Sequence, residues 1–467
     1  MPAPATDRSR IPVMQLALPL LVENILRTSL MSVDTLMLSH YSSDAVAAMS
    51  VASQLAFFIQ LLYMMVAIGS SVLITQNLGA GRPREAGLYG VASLTLILAL
   101  SAVLSALIAA GGGHVIDLYD LDPQVARYAR QFLTVYGGLS FFLAINVGQA
   151  SILRSWGHAR DPMLVNVICL LLTVAGNALC LFGPFGFPVL GITGVAASTA
   201  ASQAVACGLS AWMIHRRGGL ELHLGEVRRV PRHIYRSILA IGVPTAGENI
   251  SYCLSQIVIL AMLSSLGTVP LATYGILMAV LRYVFMPGVS IGSAGQILVG
   301  YLVGAGRHGE ATHRVYRYCA TGFAISLVLV VVLQFTHRPV LGLFSHDPRV
   351  LALAASVLLV SLALEPGRNF NTIVMPALKG AGDVRFPVVV GIASMWGISV
   401  GGAWFLGVRL ELGLVGVWMA MAADEWFRGL VMLLRWRSGA WQRMALVSRA
   451  GGGAVASVGQ LEIEDGL

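Results

Sequence analysis

Long runs of apolar residues, separated by short polar stretches, fill most of this 467-residue chain. A membrane-spanning α-helix needs roughly 20 mostly apolar residues, and each run is about that long or longer. The breaks hold turn-forming residues such as Gly79-Ala80-Gly81 and Gly183-Pro184. The pattern predicts an all-α polytopic membrane protein with twelve transmembrane helices. Their expected ranges are 11–38, 45–77, 88–113, 125–153, 163–183, 190–215, 234–266, 270–303, 313–335, 350–378, 386–408 and 412–434.

The composition excludes an ordinary soluble protein. Hydrophobic residues make up 57% of the chain and charged residues 11%, whereas a soluble domain carries about 25% charged residues. The mean hydropathy of +0.78 agrees with lipid as the outer solvent. The net charge is +8, but the basic residues lie mainly in short loops, where membrane topology explains them better than nucleic acid does. We therefore expect membrane lipid and a small-molecule substrate as partners, and no nucleic acid.

The distribution of basic residues predicts the orientation of the chain. The N-terminus and every second loop after it, ending with the C-terminal tail, hold 21 of the 30 Lys and Arg residues, and the opposite loops and their helix starts hold 5. Basic residues are enriched in cytoplasmic loops. We therefore expect a multi-pass protein of the bacterial inner membrane with both termini in the cytoplasm.

The chain repeats itself at a constant spacing, which we call the repeat offset. Pro19 matches Pro244, and Gly79-Ala80-Gly81-Arg82 matches Gly304-Ala305-Gly306-Arg307. The same offset relates the loop at 153–162 to the loop at 378–387. Six helices per half give both halves the same orientation, which is typical of transporters whose parallel repeats rock about a central cleft. The sequence thus predicts two pseudo-symmetric six-helix bundles.

The repeat and the loops divide the chain into four predicted segments. Residues 1–215 form the N-terminal six-helix bundle, and residues 216–233 form an arginine-rich cytoplasmic linker. The C-terminal six-helix bundle covers 234–435, and we expect the cytoplasmic tail at 436–467 to be disordered. The recurring glycine motifs in the loops are better interpreted as helix caps and tight turns than as substrate contacts.

Several of these features together resemble the multidrug and toxic compound extrusion (MATE) family. They are Val33-Asp34-Thr35 in the first helix, the Gly-Ala-Gly-Arg loop at 79–82, and the Leu-Arg/Lys-x-x-Gly-x-x-Arg-x-Pro loops at 153–162 and 378–387. The resemblance covers about residues 11–435. It implies efflux of organic, often cationic, compounds in exchange for protons or sodium ions. It also implies that Asp34, which matches an aspartate of the family's first helix, takes part in cation coupling.

Ionisable residues inside the spans are the candidate functional groups, because each is costly at the bilayer centre. Glu23, Arg27 and Asp34 fall on one face of the first helix at 100° per residue. Glu23 and Arg27 can form an i,i+4 pair, which is as consistent with structure as with function. Asp34 has no basic partner nearby on its own helix. Burial would therefore favour its protonated form and allow it to exchange protons. We take Asp34 as the leading coupling residue; the alternative is a solvated residue near the outer interface.

The other intramembrane charges are divided between coupling and structural roles. Glu248 and Glu365 join Glu23 and Asp34 as candidate cation-coupling residues, and Arg282 is a candidate partner of Glu248. The structural or gating charges are Arg27, Arg282, Arg368, Asp424, Glu425 and Arg428. Glu365 with Arg368, and Arg428 with Asp424 and Glu425, have helical pairing distances. Pro19 and Pro244 are the expected hinges, because proline frees backbone carbonyls within a spanning helix.

The predicted function is secondary active transport. No Gly-x-x-x-x-Gly-Lys-Ser/Thr motif occurs, so that ATP is not the expected energy source. One alternative is a lipid-linked precursor flippase of the same superfamily, which would have extra helices and a basic cavity. Another is an intramembrane enzyme, which would need a nucleophile and base or a metal cluster within the bilayer. We expect a monomeric transporter without enzymatic activity, organic cofactor or metal site.

Overall fold

The structure is a computed structural model that describes residues 8–117, 121–186, 188–217 and 230–447. Within these ranges every regular element is helical. The helices are α1 (Val13–Tyr41), α2 (Ser43–Gly79), α3 (Pro83–Asp117), α4 (Pro123–Gly138), α5 (Ser140–Ser155), α6 (Arg160–Phe182), α7 (Gly191–Arg216), α8 (Arg232–Ser265), α9 (Thr268–Gly304), α10 (His308–Gly342), α11 (Pro348–Ala381), α12 (Arg385–Arg409) and α13 (Gly413–Arg437). Short 3₁₀ helices lie at Arg8–Arg10, Pro184–Gly186 and Ala440–Met444.

These helices account for the twelve predicted spans. Ten of the described helices are individually long and apolar enough to cross a membrane, and α4 and α5, which meet at 50°, form another span together. The twelfth is α13, whose charged residues Asp424, Glu425 and Arg428 are all buried inside the protein. Helices extend beyond the expected apolar ranges, because caps rather than hydrophobicity end them.

The boundaries of the helices follow the repeat offset. Helices α2 and α9 begin and end at positions related by that offset, and so do α3 and α10. Helices α4 and α11 begin with the same cap: Asp122 accepts the Gln124 backbone N–H at 3.0 Å, and Asp347 accepts that of Arg349 at 2.9 Å. Each aspartate precedes a proline at the first helical position, where a missing N–H costs nothing.

The glycine motifs in the loops are helix caps, as the sequence predicted. Gly81 and Gly306 have positive φ angles of 76° and 72°. The backbone N–H of Arg82 donates to Asn77 O at 2.9 Å, and that of Arg307 donates to Leu302 O at 2.8 Å. The same arrangement closes α5 at Gly157 and α11 at Gly382. This left-handed conformation strains other residues, and therefore each motif holds glycine there.

The fourth span differs between the halves. It bends by 50° at Gly138 and Leu139, whereas its counterpart α11 is continuous. The Gly137 carbonyl accepts a hydrogen bond from Ser105 Oγ at 2.8 Å, which satisfies a backbone acceptor at the bend. Ser140, at the start of α5, lies 3.0 Å from the Tyr63 hydroxyl. The bend is therefore held by polar side chains of α2 and α3.

The described chain forms two compact units. The N-unit comprises Val22–Leu78 and Arg82–Gly242, and the C-unit comprises the residues up to Leu21, Gly79–Gly81 and those from Val243 onward. The chain passes from one unit to the other within α1 and α8, close to Pro19 and Pro244. The core of the N-unit includes Leu38, Phe132 and Ile192. The core of the C-unit includes Leu263, Val357 and Trp418.

The linker and tail are described only in part. Residues 218–229 of the expected linker and 448–467 of the expected tail lie outside the described residues. The described start of the tail is ordered, in contrast to the expectation for this segment. Its Trp441 ring stacks on that of Trp436 with centroids 4.2 Å apart, and Trp441 Nε1 donates to the Trp436 carbonyl at 2.9 Å. Burial of two indole rings explains why this stretch folds.

Candidate functional site

The N-unit places Glu23 between two arginines. Glu23 Oε1 lies 3.2 Å from Arg154 Nη2, at the end of α5, and 3.7 Å from Arg27 Nη2 on its own helix. The i,i+4 spacing predicted the longer contact, and the shorter one comes from a residue 131 positions away. Glu23 is buried, and its second oxygen has no hydrogen-bond partner among the described residues. Glu23 is therefore an ion-paired group with one free carboxylate oxygen.

Asp34 is placed differently from every other acid within the spans. It is half-buried on α1, and Asn177 Nδ2 of α6 donates to Asp34 Oδ1 at 2.9 Å. Within the described ranges it forms no ion pair, as the sequence predicted. Asn177 Oδ1 is buried and has no hydrogen-bond partner there. The Asn177 amide therefore supplies one donor to Asp34 and has an acceptor oxygen without a partner in the described part of the chain.

Glu248 pairs with Lys379 and not with Arg282, the candidate partner that the sequence suggested. Glu248 Oε2 lies 2.6 Å from Lys379 Nζ, with both residues buried. Arg282 is exposed on α9 and forms no ion pair in the described part of the chain. The repeat contained the missing signal, because the offset that relates Glu23 to Glu248 also relates Arg154 to Lys379. The same ion pair thus joins the first and fourth spans of each half.

Helices α11 and α13 hold a buried network of five charges in the C-unit. Arg368 lies 2.8 Å from Glu365 and 3.5 Å from Glu425. Arg428 lies 2.7 Å from Asp424 and 3.2 Å from Glu425. The contacts within each helix follow the predicted spacing, and Glu425 joins the two sets across helices. Three acids and two arginines give the ionised network a charge of −1.

Side-chain amides and an aromatic ring complete this network. Asn371 Nδ2 donates to Glu425 Oε2 at 2.9 Å, and the Arg368 guanidinium carbon lies 5.0 Å from the centre of the Phe285 ring. One oxygen each of Glu365 and Asp424 has no partner among the described residues. Such a dense network of paired charges is costly to bury, and removal of one partner would leave an uncompensated charge between α11 and α13.

The fifth span of the C-unit contains π-helical turns. Helices α6 and α12 begin at positions related by the repeat offset, but α12 ends two residues later than that offset predicts. The extra residues are accommodated in two π-helical stretches, Met395–Val400 and Ala403–Arg409. Trp396, within the first stretch, donates from Nε1 to Ser251 Oγ of α8 at 2.9 Å. Such turns are common at functional sites.

Comparison with known proteins identifies the family. A family model described as MatE matches residues 19–179 and again residues 244–405. The chain belongs to the MatE family. The starts of the two matches are separated by the repeat offset, which confirms the internal repeat, and together they confirm the predicted resemblance. Most intramembrane charges of the MatE chain lie within the two matched segments, and those of α13 lie after the second one.

The relatives of this MatE protein include transporters from several bacteria. It is 34% identical to the "Uncharacterized transporter YisQ" of Bacillus subtilis over 91% of this chain and 93% of the relative. It is 25% identical to the "Probable multidrug resistance protein NorM" of Thermotoga maritima over 96% and 97% of the two chains. Both alignments therefore extend over nearly the whole length of the proteins compared.

Solved structures confirm the fold. A transporter described as "Outward-facing conformation of a multidrug resistance MATE family transporter of the MOP superfamily" superimposes with a TM-score of 0.83 at 19% identity, over 91% of this chain and 94% of the other. "Crystal structure of MATE in the straight conformation" gives 0.85 at 18%, over 94% and 99%. The MatE protein is thus an all-α, multi-pass membrane protein of a transporter family with the twelve-helix MATE fold.

Within the described residues, no group of three or more His, Cys, Asp or Glu side chains is arranged to hold a metal ion.

Proposed function

We propose that this MatE-family protein exports small organic compounds across the bacterial inner membrane in exchange for protons or sodium ions. Transport would proceed by alternating access, with both termini in the cytoplasm. The names of the NorM relatives support multidrug export, and the resemblance noted above implies that many family substrates are cationic. The distribution of basic loops supports the orientation.

The contact between Asp34 and Asn177 is the observation that carries this proposal. The other acids in the span interiors are held in ion pairs, at 2.6–3.7 Å. Loss of the charge of Glu248, for example, would leave Lys379 buried without its partner, which is strongly unfavourable. Asp34 has only an amide donor, so that its charge can be neutralised by a proton or a sodium ion without stranding a cation. We assign cation coupling to Asp34 first.

The remaining charges have a supporting role in this proposal. Glu23 and Glu248 each fix the first helix of a half to its fourth span, and the Glu365 network fixes α11 to α13. Pro19 and Pro244 each precede one of these glutamates by about one helical turn. Bending of α1 and α8 at the prolines would leave the anchored segments intact.

A lipid-linked precursor flippase remains the alternative function. The described helices account for twelve spans, without the extra helices that this alternative predicted. The Thermotoga maritima relative is named as a probable multidrug resistance protein. These observations favour a small-molecule exporter.

Gradient-driven dye transport in inside-out vesicles tests the proposal, with pH and sodium gradients imposed separately. Wild-type vesicles should accumulate dye under one of the two gradients. Asp34→Asn should abolish that accumulation while the protein still inserts and folds, because an amide cannot exchange a proton or balance a cation's charge. Asp44→Asn, at an exposed acid that begins α2, is the matched control. Normal coupled transport by Asp34→Asn would remove this residue from the mechanism.

A further inference from the structure

The exposed face of α4 is polar, although this helix is the first half of the fourth span. Its exposed residues are Pro123, Arg127, Arg130, Gln131, Thr134 and Gly138. None of them is a large apolar residue. The apolar side chains of α4, such as Val125, Phe132 and Leu133, are buried in the core of the N-unit. An exposed guanidinium is costly in hydrocarbon, and this face of α4 therefore lies in water or in the lipid headgroup layer.

The length of the fourth span is consistent with this placement. Helices α4 and α5 have 16 residues each, which together give about 48 Å of helix at 1.5 Å per residue. The hydrocarbon core of a bilayer is only about 30 Å thick. The exposed residues of this span lie on α4, since α5 has none. The excess length therefore extends into the headgroup layer at the start of α4, where Arg127 and Arg130 lie about 6 Å and 10 Å along the helix.

A cavity follows the polar face of α4, and all of its lining residues belong to the N-unit. Its volume is about 580 Å³, within the range of about 300–1,000 Å³ that is usual for small-molecule sites. The polar part of its lining consists of Arg127, Arg130, Gln131 and Thr134 of α4 and Thr193 of α7. The cavity extends along α4 from Pro123 to Val135, a distance of about 18 Å. Its guanidinium groups thus lie toward the membrane surface, and its inner end is bounded by Val135.

The two arginines give this cavity a positive charge. Arg127 forms no ion pair in the described ranges, and its Nη2 donates to Gln124 Oε1 at 2.6 Å, which leaves the other N–H donors of the guanidinium available. Arg130 pairs with Asp117 at the end of α3. Asp122 caps α4 through the Gln124 backbone N–H and is not a lining residue. Two arginines and Asp117 together carry a charge of +1.

The repeat shows that the fourth span does not require these charges. At the repeat offset, Arg127 and Arg130 correspond to Ala352 and Ala355 of α11. The exposed surface of α11 one turn further on includes Leu359, an apolar residue that is compatible with lipid chains. Because α11 forms with neutral side chains at both equivalent positions, helix formation and packing alone do not explain the arginines of α4.

We propose that this cavity binds an anionic phospholipid, whose phosphate is held by Arg127 and Arg130 and whose chains extend past Val135. A guanidinium presents parallel N–H donors that match the two free oxygens of a phosphate diester. The charge of +1 complements the single negative charge of a lipid such as phosphatidylglycerol. Basic pockets between membrane helices bind lipid headgroups in other proteins. A dissolved anion would use only the charged outer end of the cavity, whereas a lipid uses its whole length.

Three probes that share parts of one structure test the proposal. Dihexanoyl phosphatidylglycerol has both chains and phosphate, dihexanoylglycerol has the chains without phosphate, and glycerol phosphate has the phosphate without chains. Binding of each probe to the purified protein in an uncharged detergent is measured by calorimetry. The proteins compared are the wild type, Arg127→Gln, Arg130→Gln and Arg349→Gln. Arg349 is a matched control because it is exposed at the start of α11, the equivalent end of the fourth span in the C-unit.

The wild type should bind dihexanoyl phosphatidylglycerol more tightly than either of the other two probes. Arg127→Gln and Arg130→Gln should each weaken this binding roughly tenfold, the loss of one hydrogen bond to a charged group. Neither variant should change the binding of dihexanoylglycerol, and Arg349→Gln should match the wild type with all three probes. Because both arginines of α4 are exposed, neither variant removes a buried contact, and each is informative without the other.

Three results would overturn the proposal. Equal affinity for dihexanoyl phosphatidylglycerol and dihexanoylglycerol would show that the phosphate is not recognised. Affinity for dihexanoyl phosphatidylglycerol that neither glutamine variant lowers would remove the two arginines from the site. Glycerol phosphate binding as tight as that of the lipid would show that the cavity takes a dissolved anion. No gradient is imposed in this experiment, so that its outcome does not depend on the proposed transport function.

Discussion

Replacing Lys379 by methionine should destabilise the C-unit strongly. The change leaves the Glu248 carboxylate without its cation, in a site where the two residues are only 8% and 7% exposed. At their separation of 2.6 Å, an effective dielectric constant near 20 gives an attraction of about 6 kcal/mol. The cost of desolvating both charges offsets part of it. Breaking a buried pair by removing one partner typically costs about 3–5 kcal/mol.

Two comparison variants separate the ion pair from other effects of the substitution. Arg154→Met removes the equivalent cation in the N-unit, but Glu23 keeps Arg27 at 3.7 Å. We therefore expect a smaller loss, about 1–2 kcal/mol. The double variant Glu248→Gln with Lys379→Met leaves no unpaired charge. Its stability should lie within about 1 kcal/mol of the wild type, because replacing a whole buried pair is often neutral.

Thermal unfolding of the purified protein in detergent measures these differences. A loss of about 3–5 kcal/mol corresponds to a fall in the unfolding midpoint on the order of 10 °C for a unit of this size. The expected order of midpoints is wild type and double variant, then Arg154→Met, then Lys379→Met. If Lys379→Met is no less stable than Arg154→Met, or if the double variant is as unstable as the single one, the ion-pair reasoning is refuted.

Two further variants test the helix packing and the caps. Gly292→Ala should destabilise the protein by about 1–3 kcal/mol, because the new methyl group would overlap the Thr372 carbonyl oxygen. Gly275→Ala in the same helix has open space around the new methyl group and should leave the stability unchanged. Equal unfolding midpoints for the two variants would contradict this prediction. Asp347→Ala should lower the unfolding midpoint at pH 7, where the ionised carboxylate caps α11. Hydrogen bonds from the Arg349 side chain and backbone lower the pKa of Asp347 from its ordinary value of 3.8. The difference in unfolding midpoint between variant and wild type should therefore disappear as pH falls through this lowered pKa. A difference in midpoint that persists at still lower pH would exclude the ionised cap.

The fold could be predicted from the sequence because its two strongest signals extend over the whole chain. Apolar runs located the spans, and the repeat offset determined their grouping. The ends of helices were less predictable, since they depend on caps. Helix α3, for example, begins at Pro83 rather than at the expected 88, because a proline at the first helical position extends the helix into polar sequence. In the sequence, only the pair Gly137-Gly138 indicated that the fourth span bends.

The candidate site was less predictable, because its partners come from distant segments. The isolation of Asp34 from basic residues followed from its own helix, but Asn177 lies 143 positions away. The Glu248–Lys379 pair could have been derived by applying the repeat to charges instead of to glycines and prolines. Exposure of Arg27 and Arg282 depends on the packing of several helices, and apolar periodicity does not reveal it.

The movement of the coupling ion itself tests the central claim most directly. Purified protein is reconstituted into vesicles that contain a pH-sensitive dye, substrate is added on one side, and the resulting proton flux is recorded with and without a sodium gradient. For proton coupling, the wild type should move protons against the substrate, and Asp34→Asn should move none. For sodium coupling, the same contrast should appear in sodium flux. Ion movement by Asp34→Asn equal to that of the wild type, in both recordings, would contradict the account.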